Sequence, residues 1–442
     1  MKLTESFTKT GEFFIEDEGY RGTLSYDPKN GLFLNLKNLP FAHDNKSFPL
    51  MAGIIDGKPY SCTLLNLYPQ KNTFSGNPDG MTRTSTYTVQ AMLGEKTITE
   101  QGDLLFNKVR FIYSNFREWL NKPTVFANLT YDDTKDDNIQ LKKFPNITGS
   151  LNESFDFEIK IRNIGSFGSV GGDFNISLEQ SVTFGIIGKN EKTFSLTEYL
   201  KLNKIIKYFF MFLQGRYVEE ENIFCEMKED DKRAYEHSLD LFLFQRRLKQ
   251  ATKLGTGEHF SYPYNPFIFE KILQNWIKKY EEMPDFFDKF FENWIKEDLS
   301  PIKQFENLYG ALISYYNYNF DETVMPEEEY TVFFNTLKKQ LETKEQQNFV
   351  ERFRQPGNKL SLRLQLSKIF EQLEYLKDEE KRKHYVGMVV DLRNRIQHAT
   401  ENISPELLRD SSNMTYNLNS FTSGLILHEI EYEKKADKTK KK

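Results

Sequence analysis

The spacing of apolar side chains changes once along this chain, and that change limits what the chain can fold into. Up to about residue 190, apolar and polar residues alternate every second position; from residue 267 onward, apolar residues return every three or four. A period of two lines one face of a strand, and a period of 3.6 lines one stripe of a helix. A block of strands followed by a block of helices makes an α+β chain rather than an interleaved α/β one. We therefore expect an N-terminal antiparallel β-rich domain over residues 1–265 and a C-terminal all-α helical bundle over residues 266–433. The basic tail, residues 434–442, reads as solvated and disordered.

In the first block, GTLSYDPKNGLFLNLKNL (22–39) reads as two strands joined at Asp27-Pro28-Lys29-Asn30-Gly31, where Pro fixes φ and Gly accepts a positive one. FPLMAGII (48–55), SCTLLNLY (61–68), TSTYTVQAMLG (84–94) and KVRFIYS (108–114) read as further short strands. SFDFEIKIRNI (154–164) and FNISLEQSVTFGII (174–187) follow them, and the set predicts a sandwich or a barrel-like sheet. Residues 195–215 read as one amphipathic helix, and NIFCEM and DLFLFQ as two more strands. The stretch 254–266, LGTGEHFSYPYNP, is rich in turn residues and marks the boundary. Beyond it, residues 266–283, 301–320, 326–342, 360–376 and 381–398 carry helical periodicity. Ser404-Pro405-Glu406 reads as an N-cap, an N1 proline and an early carboxylate, so the helix before it should stop between His398 and Ile403.

Composition narrows the function. The 442 residues hold 59 basic and 64 acidic side chains, a net charge of −5, so a nucleic-acid contact must be a local patch. Aromatics make up 15%, too many for a globally disordered chain. Cys62 and Cys225 cannot make a zinc cluster or a disulfide framework. The N-terminus lacks the apolar core of a signal peptide, and no long uncharged apolar run reads as a membrane span, so a cytoplasmic protein is expected. Six scattered histidines give no ligand spacing, so neither metal nor cofactor is expected. Gly165, Gly168, Gly171 and Gly172 lack the lysine of a phosphate loop and read as a hairpin loop, as does the weaker Gly255-Thr256-Gly257 match.

One constellation carries chemistry. Between Lys381 and His398 stand Lys381, Arg382, Lys383, Arg393 and Arg395 against one acid, Asp391, and the segment contains Arg393, Asn394 and His398 close together. Metal-free RNA cleavage needs a group that moves a proton at the ribose 2′-oxygen or the leaving 5′-oxygen, and a cation for the phosphate charge. Histidine and arginine suit those roles. On a regular helix Asn394 and His398 share a face at i and i+4 with Arg395 beside them, while Arg393 lies about 140° from His398. Their convergence requires a distorted helix end or a second copy across a two-fold axis. As a bare pattern, R-x(4–6)-H is expected about 0.65 times by chance in a chain of this composition, so its weight rests on the basic surround and the helical context. The plain reading is a solvated basic helix end.

The Arg393-Asn394-x-x-x-His398 arrangement in a C-terminal helical domain resembles the HEPN domain (higher eukaryotes and prokaryotes nucleotide-binding), many of whose members are metal-independent ribonucleases using this Arg and His. The whole layout resembles the ApeA-like abortive-infection proteins, which join an N-terminal β-rich domain to an Apea-like HEPN domain. Gly22-Thr23-Leu24, Asn30-Gly31-Leu32, Ile54-Ile55-Asp56-Gly57 and Ser61-Cys62-Thr63-Leu64 carry the likeness in the first domain. Phe305-x-x-Leu308-x-x-Ala311-Leu312, Leu360-Ser361-Leu362-Arg363-Leu364 and the Arg393–His398 segment carry it in the second. One position departs: the family often has Glu after the Ala-Leu pair, and here Ile313 stands there.

The resemblance implies a metal-independent endoribonuclease effector of phage defence that cuts host RNA, with transfer RNA as a candidate target. It implies a homodimer formed through the HEPN domain and a phage-derived trigger sensed by the β-rich domain. Arg393, Asn394 and His398 would be catalytic, and Lys381, Arg382, Lys383 and Arg395 would contact RNA. The product would carry a 2′,3′-cyclic phosphate. The alternative is a non-catalytic HEPN module that binds RNA or nucleotide, or only dimerises, beside a working β-rich domain. A third reading makes the β-rich domain a carbohydrate- or peptide-binding sandwich.

Overall fold

The computed structural model describes residues 3–431, except 44, 57–59, 78–79, 95–97, 99–103, 121–124, 129–137, 142–144, 171–172, 228–237, 244–265, 321, 353, 355–357 and 400–402. Two compact units are distinguished, Met1–Ile277 and Lys278–Lys442.

The first unit begins with six strands, β1 (Phe7–Ile15), β2 (Glu18–Asp27), β3 (Gly31–Lys37), β4 (Phe48–Ile55), β5 (Tyr60–Asn77) and β6 (Gly80–Gly94). They pair antiparallel and close on themselves in the order β1-β2-β3-β6-β5-β4, which makes a barrel with no free edge along the closed part. Alternation places Phe13, Leu24, Leu34, Met51, Leu64 and Val89 in its core. The Phe13 ring occupies the space beside Gly53, where a Cβ would meet Phe13 Cδ1 at 2.6 Å. At the turn between β2 and β3, the Asp27 carboxylate accepts from the Lys29 and Asn30 amides at 2.9 Å each, and Gly31 takes φ 100°, the positive value that the sequence predicts.

The elements that follow are β7 (Leu105–Phe106), β8 (Lys108–Tyr113), α1 (Phe116–Leu120), β9 (Val125–Asn128), β10 (Asn138–Leu141), β11 (Ile147–Ser150), β12 (Phe155–Val170), β13 (Asp173–Gly188), β14 (Phe194–Ser195), α2 (Leu196–Gln214), β15 (Glu220–Glu226) and β16 (Ser238–Leu243). Strand β6 pairs onward with β16, and from there a second antiparallel sheet runs β16-β15-β8-β13-β12-β11. Two hairpins extend beyond the segments that read as strands. The β5–β6 ladder continues to Asn77↔Gly80, and the β12–β13 ladder to Val170↔Asp173. Residues 71–76 are exposed on both faces, so no apolar alternation marks them in the sequence. The glycine-rich stretch is largely strand rather than loop, with Gly165 and Gly168 opposite Leu178 and Asn175. Gly171, Gly172, the Gly255–Gly257 match, residues 254–265 of the boundary stretch and the basic tail lie outside the described residues.

Helix α2 starts at a capping box between Ser195 and Glu198 and ends at Gly215 with φ 65°. Its first half is amphipathic as expected, but from Tyr208 to Gln214 every side chain is buried. Phe210 sits among Tyr113, Phe116, Trp119 and Phe184 at ring separations of 4.7–5.5 Å. One polar network crosses this core. The Glu220 carboxylate accepts from Asn203 Nδ2 at 2.8 Å and Lys207 Nζ at 2.7 Å, and Asn203 Oδ1 accepts from the Tyr113 hydroxyl. Burial alone would lower the Lys207 pKa; the Glu220 charge and Tyr217 outweigh it and hold the pKa above its usual value. Helix α3 (Pro266–Glu282) begins in this unit, where Trp276 Nε1 donates to the Ile205 carbonyl at 2.9 Å and Phe269 packs on Phe157. The division between the units falls inside α3.

The second unit is helical: α4 (Pro284–Ile295), α5 (Pro301–Asn319), α6 (Glu327–Lys339), α7 (Lys344–Glu351), α8 (Leu362–Glu371), α9 (Glu379–His398) and α10 (Pro405–Glu429). Helix α5 is central and packs on α4, α8 and α10 through the stripe Phe305, Leu308, Ala311, Leu312 and Tyr315. Tyr315 donates to Glu429 at 2.7 Å, and Lys279 pairs with the same carboxylate at 2.9 Å. As the sequence predicts, α9 stops at His398, Ser404 caps α10 and Pro405 opens it.

The buried network gives a direct test of this core. Lys207→Met, which leaves the Glu220 charge buried without its cation, should lower the stability of the chain by about 3–5 kcal/mol in a urea titration. The double variant Lys207→Met, Glu220→Leu should recover part of that loss; no recovery would mean that the pair itself is not what the core depends on.

Candidate functional site

Helix α9 is capped by Asp378, whose carboxylate accepts from the Lys381 amide at 2.8 Å. Val386, Val389, Val390 and Leu392 are its buried residues, packed toward α8 and α10. That apolar stripe leaves the polar motif to the remaining faces. Arg393, next to Leu392, is half-buried; its Nη1 donates to Asn394 Oδ1 at 3.1 Å, and its Nε is buried with no hydrogen-bond partner. The charge of this guanidinium reaches Tyr309, on α5. Burial raises the Tyr309 pKa, and Arg393 pulls it back both by its charge and as a hydrogen-bond donor.

His398 is the last residue of α9, is exposed, and has no side-chain partner among the described residues. The helix keeps its form up to that point; the chain leaves it at Ala399, whose amide donates to the Ile396 carbonyl at 3.2 Å. Within one chain, Arg393 is therefore half-buried while His398 faces solvent.

The basic residues are placed differently from one another. Arg382 clasps the turn between α8 and α9, donating from Nε to Ser367 Oγ at 3.2 Å and from Nη1 to the Leu376 and Lys377 carbonyls at 3.2 and 3.1 Å. Lys383 pairs with Glu379 at 2.7 Å and with Glu380 at 3.4 Å, and Arg395 pairs with Asp410 at 2.8 Å. Asp391 is matched by Arg363 at 2.9 Å. Lys381 is exposed, with no side-chain partner among the described residues. Of the five basic residues between Lys381 and His398, Lys383 and Arg395 are thus met by acids outside that window. Lys381 and Arg393 are also separated by about 18 Å along the helix at 1.5 Å per residue.

The structure pairs Arg393 with Asn394, and the Arg393 charge also bears on Tyr309 of α5, a residue that the sequence pattern does not single out. Nothing in a linear pattern marks it, because its place near Arg393 depends on how α5 packs. Ile313 lies one turn further along the same face of α5 and is half-buried. Among the described residues, no group of three or more His, Cys, Asp or Glu is placed to hold a metal ion, and no helix is long and apolar enough to cross a membrane. The Cys62 thiol is buried, which pushes its pKa up to about 12.

Set beside known families, residues 8–294 match ApeA N-terminal domain 1 and residues 306–434 match the Apea-like HEPN domain. The chain therefore belongs to the ApeA-like proteins that carry a C-terminal HEPN domain. This is a family of abortive-infection effectors and nucleases, and HEPN domains are usually ribonucleases that commonly bind RNA and dimerise. No curated protein and no solved structure matches the chain.

The two ends of the basic segment should respond differently to substitution. Arg382→Ala should cost about 1–3 kcal/mol, because it leaves backbone carbonyls without their donor. Lys381→Ala should stay within about 0.5 kcal/mol of the parent. Thermal melts of the two variants check this; equal stability would remove the clasp from the account.

Proposed function

We propose that the chain is a metal-independent endoribonuclease effector of phage defence whose reacting groups are Arg393, Asn394 and His398. The observation that supports this most is the pairing of a half-buried guanidinium, held by its Asn394 neighbour, with an exposed histidine at the end of the same helix. His398 takes the proton from a ribose 2′-hydroxyl, or gives one to the leaving 5′-oxygen. The 2′-oxygen attacks phosphorus, the bond to the 5′-oxygen breaks, and the products are a 2′,3′-cyclic phosphate and a 5′-hydroxyl. Arg393 binds the non-bridging oxygens and offsets the charge that builds on them.

Because one straight helix turns Arg393 and His398 apart, the site is completed by a second copy of the chain, each copy giving the arginine of one site and the histidine of the other. RNA is guided by Lys381, Lys383 and Arg395, with phosphates exchanging for Glu379, Glu380 and Asp410; Arg382 adds charge while keeping its carbonyl clasp. The substrate is host RNA in the cytoplasm, with transfer RNA as the first target to examine. The β-rich unit senses a phage-derived trigger and releases the restraint on the HEPN pair.

Cells expressing the parent chain, Arg393→Ala or His398→Ala, challenged with phage so that the trigger is present and compared by total RNA on a denaturing gel, test this reading. Discrete fragments with cyclic phosphate ends should appear for the parent alone, with cleavage by either variant reduced about 10²–10⁴-fold. The purified parent should cut equally well in EDTA. Full activity in His398→Ala, or loss of activity with EDTA, would contradict the mechanism.

A further inference from the structure

Between α5 and α8 the chain forms an arm built from α6 and α7, and α6 packs chiefly on α7. Asn358 fixes the base of this arm. It is buried, and its side chain donates to the Met325 carbonyl at 3.0 Å and accepts from the Met325 amide at 3.1 Å. Tyr330 and Phe334 are the buried residues of α6, and Lys338 pairs with Glu351 of α7 at 2.7 Å. The other side of α6 is a different surface. Val332 is 68% exposed and Phe333 54%. Thr336, one turn further on, donates its hydroxyl to the Val332 carbonyl at 2.8 Å, so its polar group is satisfied within the helix. Neighbouring large apolar side chains left in water on one helix face mark an interaction surface.

The charges around this patch decide what it suits. Glu327, Glu328 and Glu329 fill the first turn of α6, and Lys338 and Lys339 stand in the last. Glu329, Val332, Phe333, Thr336 and Lys339 are all exposed and recur at the spacing of one helical stripe. Glu329 and Lys339 are separated by about 15 Å along the helix, with Phe334 midway. An antiparallel copy of the same helix, related by a two-fold axis level with Phe334, sets Glu329 of each copy against Lys339 of the other. Val332 and Phe333 of both copies then lie between the two charge pairs. A parallel copy would set like charges together. The three acids also repel a polyanion, so RNA does not suit this face.

We infer that the outward face of α6 is a docking surface for a second copy of this chain, packed antiparallel through Val332 and Phe333 and held in register by Glu329 and Lys339. It names the surface that joins the two copies called for by the ribonuclease reading, and rests on that reading only for its effect on cleavage. Thr323 pairs with Lys359 across the base of the arm, and α8 starts just beyond. Arg363, in the first turn of α8, pairs with Asp391, two residues before Arg393. The arm thus joins the bundle beside the part of α9 that carries the proposed site.

The test is sedimentation of the purified full-length chain over a concentration series up to about 100 μM, since a contact of one 13-residue helix is small and belongs to the weak class. The parent should pass from monomer to dimer. Phe333→Asp, which puts a charge in the middle of the patch, should raise the dissociation constant about 100-fold. Phe333 is exposed in the single chain, so the substitution leaves the monomer folded. Glu329→Lys and Lys339→Glu should each weaken self-association about tenfold at low salt. Mixed together, these two variants should bind each other as tightly as the parent binds itself, because every opposed pair again has opposite signs.

A parent that stays monomeric would overturn the α6 surface. So would a Phe333→Asp chain that dimerises like the parent, which would place the dimer contact on another face. A mixture of the two charge variants no tighter than either alone would overturn the antiparallel register. Cleavage is read separately in phage-challenged cells, where monomeric Phe333→Asp should lose the discrete RNA fragments. If it is monomeric and still cuts as the parent does, the α6 surface stands and the site shared between copies falls.

Discussion

A straight α-helix cannot bring positions five residues apart onto one face, and the proposed chemistry depends on how the chain meets that constraint. Helix α9 keeps helical form through His398. Arg393 is half-buried and bonded to Asn394, and His398 is left exposed at the tip. A histidine with solvent around it and a half-buried arginine are poor partners within one copy. They become complementary across a two-fold axis, where the exposed tip of one helix can approach the held guanidinium of another. In the proposed mechanism, dimerisation is then part of the chemistry.

The same division between held and free groups runs along the rest of the helix. Arg382 is committed to carbonyl oxygens, and Lys383 and Arg395 are matched by carboxylates. Surface ion pairs of this kind contribute little to stability and exchange readily. A polyanion can therefore displace the acids without unfolding the helix, whereas displacing Arg382 would open the turn before α9. In the first unit, the barrel is filled by its own side chains, Phe13 against Gly53 among them. A trigger recognised by this unit would accordingly be met on its outer surface or its long hairpins.

Much of the fold was legible in the residues. The change of period separated strands from helices, the Asp27–Gly31 cluster marked a turn that the Asp27 carboxylate and the positive φ of Gly31 build, and Ser404-Pro405 marked the start of α10. What escaped had physical causes. The outer part of the β5–β6 hairpin owes its form to a backbone ladder, which leaves no apolar signature where both faces are exposed. Strand β1 and helices α4 and α7 are likewise elements that the reading of periodicity did not pick out. The second half of α2 is buried on every side because it runs through the first unit's core, and a single-helix pattern cannot distinguish that from one buried stripe. Arg393, Asn394 and His398 stood out by type and spacing. Tyr309 did not, because its place near Arg393 is a fact of tertiary packing, and the partners of Lys383 and Arg395 lay outside the window in which charge was counted.

The most direct test of the central claim is complementation between two inactive chains. Arg393→Ala and His398→Ala, each unable to cut RNA alone, would be mixed under conditions that exchange subunits, and cleavage of total RNA measured. In a site shared between copies, every mixed dimer regains one intact Arg393–His398 pair, so activity should return to about a quarter of the parent's by random reassortment. If the mixture stays as inactive as its components while subunit exchange is confirmed, arginine and histidine do not act across the dimer, and the shared site is wrong.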